Sequence, residues 1–332
     1  MGKNIGVKMI FTPRYIGTII ISLNIFYNVV LGQLQSGSSI GGLAGSPMRM
    51  GFGSRGIAMG NALTAVKNGD IQSYYNPAVV PFASVPTISA AYGVLSLDRR
   101  LNYLSYTQSL KPHAGISLSI INAGVGDIDG RDGDGIHTKM FSTSENAFMF
   151  SFGLNPDPHF SLGITVKVLY FVLYEGVKST TAAIDFGILF PLSEEFTLGA
   201  VVQDINAKYK WDTAPLYGIN GNSTVDKFPL RKRIGISWVP AEYALVLSSE
   251  FEAIGSATFV RVGSEIEVYD GIHIQGGIDQ IALNADLPAK PALGISVQTK
   301  LSTWTPAFHY AYVFEPYSPS GIHILSFSLR FP

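Results

Sequence analysis

The sequence predicts an all-β protein: a transmembrane antiparallel β-barrel of about 14 strands with an N-terminal hatch or plug segment. Charged residues make up only 14% of the 332 residues, well below the roughly 25% of an ordinary soluble domain. Short segments in which apolar and polar residues alternate recur from residue 87 to the C-terminus. The connections between these segments alternate between short and long, as the turns and loops of outer-membrane barrels do.

The alternation is clearest around residue 164. Phe160, Leu162 and Ile164 fall on one face of an extended segment, whereas Ser161 and Thr165 fall on the other. A strand places successive side chains on opposite faces, so such segments separate an apolar face from a polar one. We predict strands at 87–96, 101–110, 113–122, 145–154, 159–172, 180–190, 196–204, 231–239, 243–253, 259–268, 271–278, 291–300, 304–314 and 323–331.

The predicted connections sort by length. With both termini on the periplasmic side, the three long connections, 123–144, 205–230 and 279–290, all face the exterior. This arrangement is typical of a barrel in the outer membrane of a Gram-negative bacterium, with the membrane lipid as a partner. The barrel is predicted over 87–332, and the hatch over 33–86.

Composition excludes several other classes of protein. No run of about 20 apolar residues, the length that a membrane-spanning helix needs, occurs after the N-terminal stretch. The formal net charge of −1 argues against a nucleic-acid partner. The chain contains no cysteine, which excludes disulfides and thiolate metal sites. We expect no cofactor.

The N-terminus has the features of a signal peptide. Basic residues precede a largely apolar stretch over 16–31, and Gly32 is small enough for a cleavage site. We therefore predict a signal peptide over 1–32 and a mature protein that begins at Gln33. The alternative is a retained membrane anchor.

The segment 33–86 does not alternate. It contains a helix-like piece at 57–67, preceded by a G-x-G-x-x-G pattern at 51–56. A dinucleotide loop would need a preceding strand and an acidic residue about 20 positions further on. No strand is predicted before it and Asp70 is too close, so a close-packed plug is the preferred interpretation.

This segment also carries a family resemblance. Arg55-Gly-Ile-Ala-Met-Gly60, Leu63-Thr-Ala-Val66 and Tyr74-Tyr-Asn-Pro-Ala78 resemble the N-terminal signature of the FadL superfamily of barrels, and more specifically its PorV/PorQ branch. Later stretches agree, among them Gly124–Gly130 and Leu162–Lys167. The resemblance implies a hatch inside the lumen. The residues that match it are Arg55, Gly56, Met59, Gly60, Asp70, Tyr75, Asn76 and Pro77.

Polar residues within the strands are expected to face the lumen, because charges are costly on a lipid-facing surface. They form either a conduction path or a salt-bridged network that packs the hatch against the wall, and the network is the preferred interpretation. By their position in the alternation, these residues are Lys167, Asp185, Gln203, Arg261, Glu265 and Arg330.

The Asp-rich stretch at 127–135 offers a weak candidate for calcium. Arg131 occupies the third ligand position of an EF-hand pattern, so a solvated turn is preferred. The carboxylates concerned are Asp127, Asp129, Asp132 and Asp134. The histidines lack zinc spacing and no nucleophile elbow occurs, so we do not expect an enzyme.

Two functions remain open. The resemblance implies an interaction barrel of type IX secretion, which would receive sorting-domain cargo or other secretion components on its external loops. Alternatively, the barrel is a FadL-like transporter of hydrophobic small molecules, which needs an apolar pocket and a lateral opening in the wall. Gly276-Gly277 or Pro306 could kink a strand to make this opening, or could equally mark a harmless bulge. A barrel with a purely structural role is a further alternative. The candidate anchors for a partner are Tyr209, Trp211, Tyr217 and Phe228, unless they pack the loop on itself.

Overall fold

The computed structural model describes residues 42–318 and 320–331. The signal peptide expected at 1–32, with Gln33 as the first mature residue, lies outside the described residues. Fourteen antiparallel strands close into a barrel in which the first strand pairs with the last. The prediction of an antiparallel barrel of about 14 strands is therefore confirmed.

The described residues contain eighteen strands, of which fourteen form the wall. β4–β5 and β10–β11 are two separate hairpins within long connections. The bounds are β1 Thr87–Val94, β2 Arg99–Leu110, β3 Ala114–Val125, β4 Ile128–Arg131, β5 His137–Phe141, β6 Ser144–Asp157, β7 Phe160–Tyr174, β8 Val177–Pro191, β9 Phe196–Ile205, β10 Lys208–Asp212, β11 Ser223–Lys227, β12 Arg231–Trp238, β13 Leu245–Ile254, β14 Ala257–Tyr269, β15 Ile272–Ala282, β16 Lys290–Gln298, β17 Thr305–Val313 and β18 Ile322–Arg330.

The outer face of the wall is apolar. Along β6, Phe148, Phe150 and Phe152 are 46%, 45% and 36% exposed, whereas Met149 and Ser151 between them are buried. At one rim of the barrel Trp238 stacks on Phe196, as in the aromatic girdles of membrane barrels. A closed sheet leaves no unpaired strand edge in lipid, so the wall satisfies its backbone groups internally.

Among the residues that the structure describes, no helix is both long and apolar enough to cross a membrane.

The two ends of the barrel differ. One end, here called the loop end, carries the connections with both hairpins, 126–143 and 206–230. The other, the turn end, carries only short turns, such as 158–159 and 270–271. The third long connection is shorter than expected, because β15 extends to Ala282.

An N-terminal segment, residues 42–86, lies inside the barrel. It contains two short helices, α1 (Ser54–Ala58) and α2 (Gln72–Tyr75), and 3-10 turns at Pro47–Arg49 and Pro77–Phe82. Asn76 caps the last of these turns, because its side chain accepts a hydrogen bond from the Ala78 N–H. Most apolar side chains of this N-terminal segment are buried against the lumen face of the wall.

Candidate functional site

Glycines on the lumen face allow the backbone of the N-terminal segment to touch the wall. A Cβ at Gly163 would lie 2.3 Å from the carbonyl carbon of Pro77, and one at Gly199 would lie 2.3 Å from the Thr64 oxygen. No side chain fits at such positions. Several of these glycines face each other across neighbouring strands: Gly115 and Gly153, Gly153 and Gly163, Gly163 and Gly187, Gly199 and Gly235, and Gly263 and Gly277.

Side chains of the sequence-predicted hatch set make specific contacts in the lumen. The Tyr75 hydroxyl donates to Asn61 Oδ1 at 2.8 Å and Asn76 Nδ2 donates to the Thr64 carbonyl at 2.8 Å. Met59 and Gly60 lie against the glycines of β14 and β15. Gly56 and Pro77 are also buried, and the last two members of the set, Arg55 and Asp70, are half-buried.

A buried ionic network fills part of the lumen near the loop end. Its members are Arg231, Arg233, Arg261, Glu250, Glu252 and Asp279. Arg231 Nε lies 2.8 Å from Glu252 Oε1, and both Arg233 and Arg261 reach Glu250, at 3.2 and 3.3 Å. Three cations face three carboxylates, so the buried charges are compensated; removing one partner of such a group is strongly destabilising.

A second cluster joins Lys167 to Asp185 and Asp204, with both ion pairs at 2.8 Å. Asp204 lies on a β-bulge with φ of 65°, at a register shift between β8 and β9. The bulge turns this residue into the lumen beside its neighbour Gln203, whose Nε2 donates to the Tyr74 carbonyl at 2.8 Å. Alternation alone does not locate Asp204, because a bulge breaks the two-residue period.

Two further contacts tie the N-terminal segment to the wall. Arg55 makes a bidentate pair with Glu265 of β14, at 2.7 and 2.8 Å. Asp70 accepts hydrogen bonds from Ser328 at 2.8 Å and Arg330 at 3.2 Å. The six lumen candidates named from the sequence thus all lie on the inner face. Arg261 belongs to the ionic network, Lys167, Asp185 and Gln203 lie in or beside the second cluster, and Glu265 and Arg330 make the two further contacts.

A cavity of about 220 Å³ lies at the loop end, above α1; we call it the loop-side cavity. Three cations that line the cavity are ion-paired: Arg231 with Glu252, Arg261 with Asp279, and Lys290 with Glu315. Arg49 forms no ion pair in the described part of the chain and donates only to backbone carbonyls. The lining combines these charges with apolar side chains, including Ile57, Leu101, Ile254, Leu287, Val313, Ile322 and Ile324.

Three of the four candidate anchor residues are buried. Tyr209 donates to Glu145 Oε1 at 2.5 Å and packs edge-on against Phe228, while Trp211 Nε1 donates to Asp226. These rings hold the β10–β11 hairpin against the mouth of the barrel. Only Tyr217, 64% exposed, is available to a partner.

The Asp-rich stretch forms the exposed β4–β5 hairpin. Asp129 pairs with His137 at 2.5 Å and with Arg131 at 2.6 Å, and these hydrogen bonds hold the pKa of its carboxyl below its usual range. Asp132 caps the turn by accepting from the Asp134 and Ile136 N–H groups. Within the described ranges, Asp127, Asp129, Asp132 and Asp134 are not gathered into a metal-binding group.

The positions considered for an opening in the wall are regularly paired. Gly276 and Gly277 face Leu293 and Ala292 of β16, and Pro306 faces Leu329 of β18. A Cβ at Gly277 would lie 2.3 Å from the Gly60 nitrogen. Gly277 therefore serves close packing, and the register at these glycines and at Pro306 is unbroken.

Solved structures with the same architecture include three bacterial proteins. The toluene transporter TbuX of Ralstonia pickettii superposes with a TM-score of 0.62 at 12% identity, over 85% of this chain and 99% of that one. The chain has the FadL-like barrel fold. The toluene transporter TodX of Pseudomonas putida gives 0.59 at 12% identity over 84% and 96%, and a FadL homologue of Pseudomonas aeruginosa gives 0.56 at 11% over 84% and 97%.

No protein-family profile and no curated protein matches the chain. The FadL-like likeness is one of fold, and it does not show membership of the PorV/PorQ branch.

Proposed function

We propose that this FadL-like barrel is a channel of the Gram-negative outer membrane that takes up small hydrophobic molecules, with residues 33–86 as its hatch. The loop-side cavity is the observation that carries this proposal. Its volume of about 220 Å³ exceeds that of apolar cavities of about 150 Å³ that bind benzene. Its lining includes apolar side chains of five wall strands and of α1, such as Leu101, Val313 and Ile57.

The fold neighbours favour the same substrate class. TbuX and TodX are described as toluene transporters, and CymD, with a TM-score of 0.60 at 12% identity, as a monoaromatic hydrocarbon channel. The volume of the loop-side cavity is large enough for a single aromatic ring. We propose no catalytic role and no cofactor.

The test is uptake of labelled toluene by a Gram-negative host that lacks its own FadL-like channels. Filling the cavity with Val313→Trp should reduce uptake by about tenfold, because the indole occupies the space of one small ligand. Val297→Trp is the matched control: Val297 lies on the neighbouring strand β16 but is 46% exposed on the outer face. Equal uptake by both variants and the parent, or no uptake by the parent, would overturn the proposal.

A second candidate is the PorV/PorQ-type role in type IX secretion. It is favoured by the exposed tip of the β10–β11 hairpin, where Leu216, Tyr217 and Ile219 are 39%, 64% and 101% exposed. Exposed apolar residues on an external loop suit a protein partner. Co-purification in mild detergent tests this role: sorting-domain cargo should bind the parent and be lost with Tyr217→Ser plus Ile219→Ser.

A further inference from the structure

A continuous row of polar and amphipathic side chains crosses the outer face of five wall strands, β1, β2, β3, β6 and β7. The register pairs Tyr92 with Asn102, Asn102 with Asn122, Asn122 with Asn146, and Asn146 with Tyr170. We call its three central members the asparagine row. Asparagine is depleted in strands, so strand propensity does not account for three of them in register on a face that is otherwise apolar.

The asparagine row lies at the level where the apolar band of the wall ends. Two residues closer to the turn end on each strand, the outward side chains are apolar and 41–50% exposed: Leu104, Ile120, Phe148 and Val168. An amide is costly in hydrocarbon, whereas tyrosine rings favour the headgroup level. The row and its flanking tyrosines therefore lie where the lipid headgroups begin.

Hydrogen bonds align the amides of the asparagine row. Asn102 Nδ2 donates to Asn122 Oδ1 at 3.2 Å, and Asn122 Nδ2 donates to Asn146 Oδ1 at 2.7 Å. Asn146 Nδ2 also donates to the Tyr170 carbonyl at 3.3 Å. An amide oxygen has two lone pairs, so Asn122 and Asn146 can each accept a further hydrogen bond from a hydroxyl group outside the wall.

Two basic residues lie on the loop-end side of this row, one near each end. Arg100 of β2 faces outward opposite Gly124, and Lys178 of β8 faces outward opposite Val172. Both are exposed, and neither forms an ion pair within the described part of the chain. Four strand spacings separate them, or roughly 19 Å. This sector of the wall thus presents two separated cations with amides between them.

We propose that this sector binds the headgroup of a phosphorylated glycolipid of the outer leaflet. The sugar hydroxyls donate to the asparagine row, and the phosphates contact Arg100 and Lys178, because guanidinium and ammonium groups pair well with phosphate oxygens. A glycerol headgroup with a single phosphate is too small to reach both cations. The acyl chains continue over the apolar band below the row. The site lies outside the lumen, so it is separate from the proposed uptake function.

A third outward cation distinguishes a binding site from a general attraction to anionic lipid. Lys232 is exposed on the outer face of β12 at the loop end, but its cross-strand neighbours are Val202 and Ala253. Their side chains offer no hydrogen bond to a headgroup. Any basic residue near an anionic surface gains some attraction. Lys232 is therefore the matched control for Arg100 and Lys178.

Native mass spectrometry of the full-length protein in detergent measures the binding of lipid A, a diphosphorylated disaccharide lipid. Arg100→Gln and Lys178→Gln should each weaken its binding about fivefold, the contribution of one basic residue beside an anionic headgroup. Lys232→Gln should leave the binding unchanged. A loss with Lys232→Gln equal to that of the other two variants would reduce the effect to general attraction and overturn the proposal.

The role of the amides is tested with a second lipid. Asn122→Leu removes the central amide and suits the apolar outer face, so the barrel should fold, as its heat-modifiable electrophoretic mobility would verify. This variant should bind lipid A about fivefold more weakly but bind phosphatidylglycerol, which has no sugar, as the parent does. Asn102→Leu gives the same comparison at the edge of the row if Asn122→Leu does not fold.

The parent protein should itself bind lipid A at least tenfold more tightly than phosphatidylglycerol. Equal binding of the two lipids, or lipid A binding that is unchanged by loss of an amide, would overturn the proposal. None of these measurements involves uptake, so they decide the glycolipid site whether or not the barrel transports toluene.

Discussion

Arg49 is the cation of the loop-side cavity that has no ion-pair partner among the described residues. Among the described residues its guanidinium donates only to the Ala44 and Leu43 carbonyls, although a guanidinium carries five N–H groups. The other cations of the lining are held by carboxylates. A ligand that presents an oxygen to Arg49 would gain a hydrogen bond that a pure hydrocarbon cannot make.

Substituting this residue should change which ligands bind. We expect Arg49→Met to weaken binding of acetophenone by about tenfold relative to toluene, since a hydrogen bond to a charged group contributes about 1.5 kcal/mol. Competition binding to the detergent-solubilised protein measures the ratio. Lys290→Met is the control, because Lys290 is paired with Glu315; an identical change in both variants would contradict the prediction.

At the scale of elements, the wall was predictable from the sequence and the hairpins were not. Apolar and polar side chains alternate along each wall strand, because one face of the strand contacts lipid and the other faces a polar lumen. This difference imposes a period of two residues. The β4–β5 and β10–β11 hairpins lie beyond the wall, where no lipid imposes the period. Within β4–β5 the turn is set by Asp132 and in β10–β11 the core is aromatic, and neither feature alternates.

The candidate site was predictable only in part, for a similar reason. The alternation of inward and outward residues along a strand places Lys167, Asp185 and Arg261 on the inner face. It cannot identify their ion-pair partners, because these depend on the register between strands. Asp204 lies at a register shift, where the two-residue period fails, and Asp279 lies just beyond the predicted end of its strand at residue 278. The role of Gly163 as a seat for Pro77 depends on a contact between residues far apart in the chain.

The close contact between wall glycines and the backbone of the N-terminal segment leads to a stability prediction. Gly163→Ala should lower the free energy of unfolding by about 2 kcal/mol, because overpacking a tight contact costs about 1–3 kcal/mol and Pro77 backbone atoms occupy the space of the methyl group. Urea titration of the protein folded in detergent gives the value. Gly133→Ala, in an exposed turn with open space around the Cα, should be neutral; a loss equal to that of Gly163→Ala would contradict the hatch-seating explanation.

At the scale of the whole molecule, the barrel separates two kinds of surface. Its outer wall exposes aromatic and aliphatic side chains, as along β6, while its interior buries ion pairs such as Arg231–Glu252. A water-soluble protein would reverse this distribution. The apolar outer wall therefore needs a bilayer or a detergent micelle around it, and the N-terminal segment and the ionic network of the wall strands fill the bore that remains.

A charge placed on the outer wall should therefore lower the stability of the barrel in lipid, because the charge would face hydrocarbon. We expect Phe150→Lys to lower the free energy of folding into lipid vesicles by about 2–4 kcal/mol, the cost of a lysine facing the middle of a bilayer. Ile136→Lys places the same charge on the β4–β5 hairpin, where Ile136 is 64% exposed, and should have no effect. Urea titrations in vesicles and in detergent distinguish lipid contact from packing. The free-energy penalty of Phe150→Lys should be smaller in micelles, because a micelle deforms around the charge. An equal penalty in both would mean that Phe150 does not face the hydrocarbon.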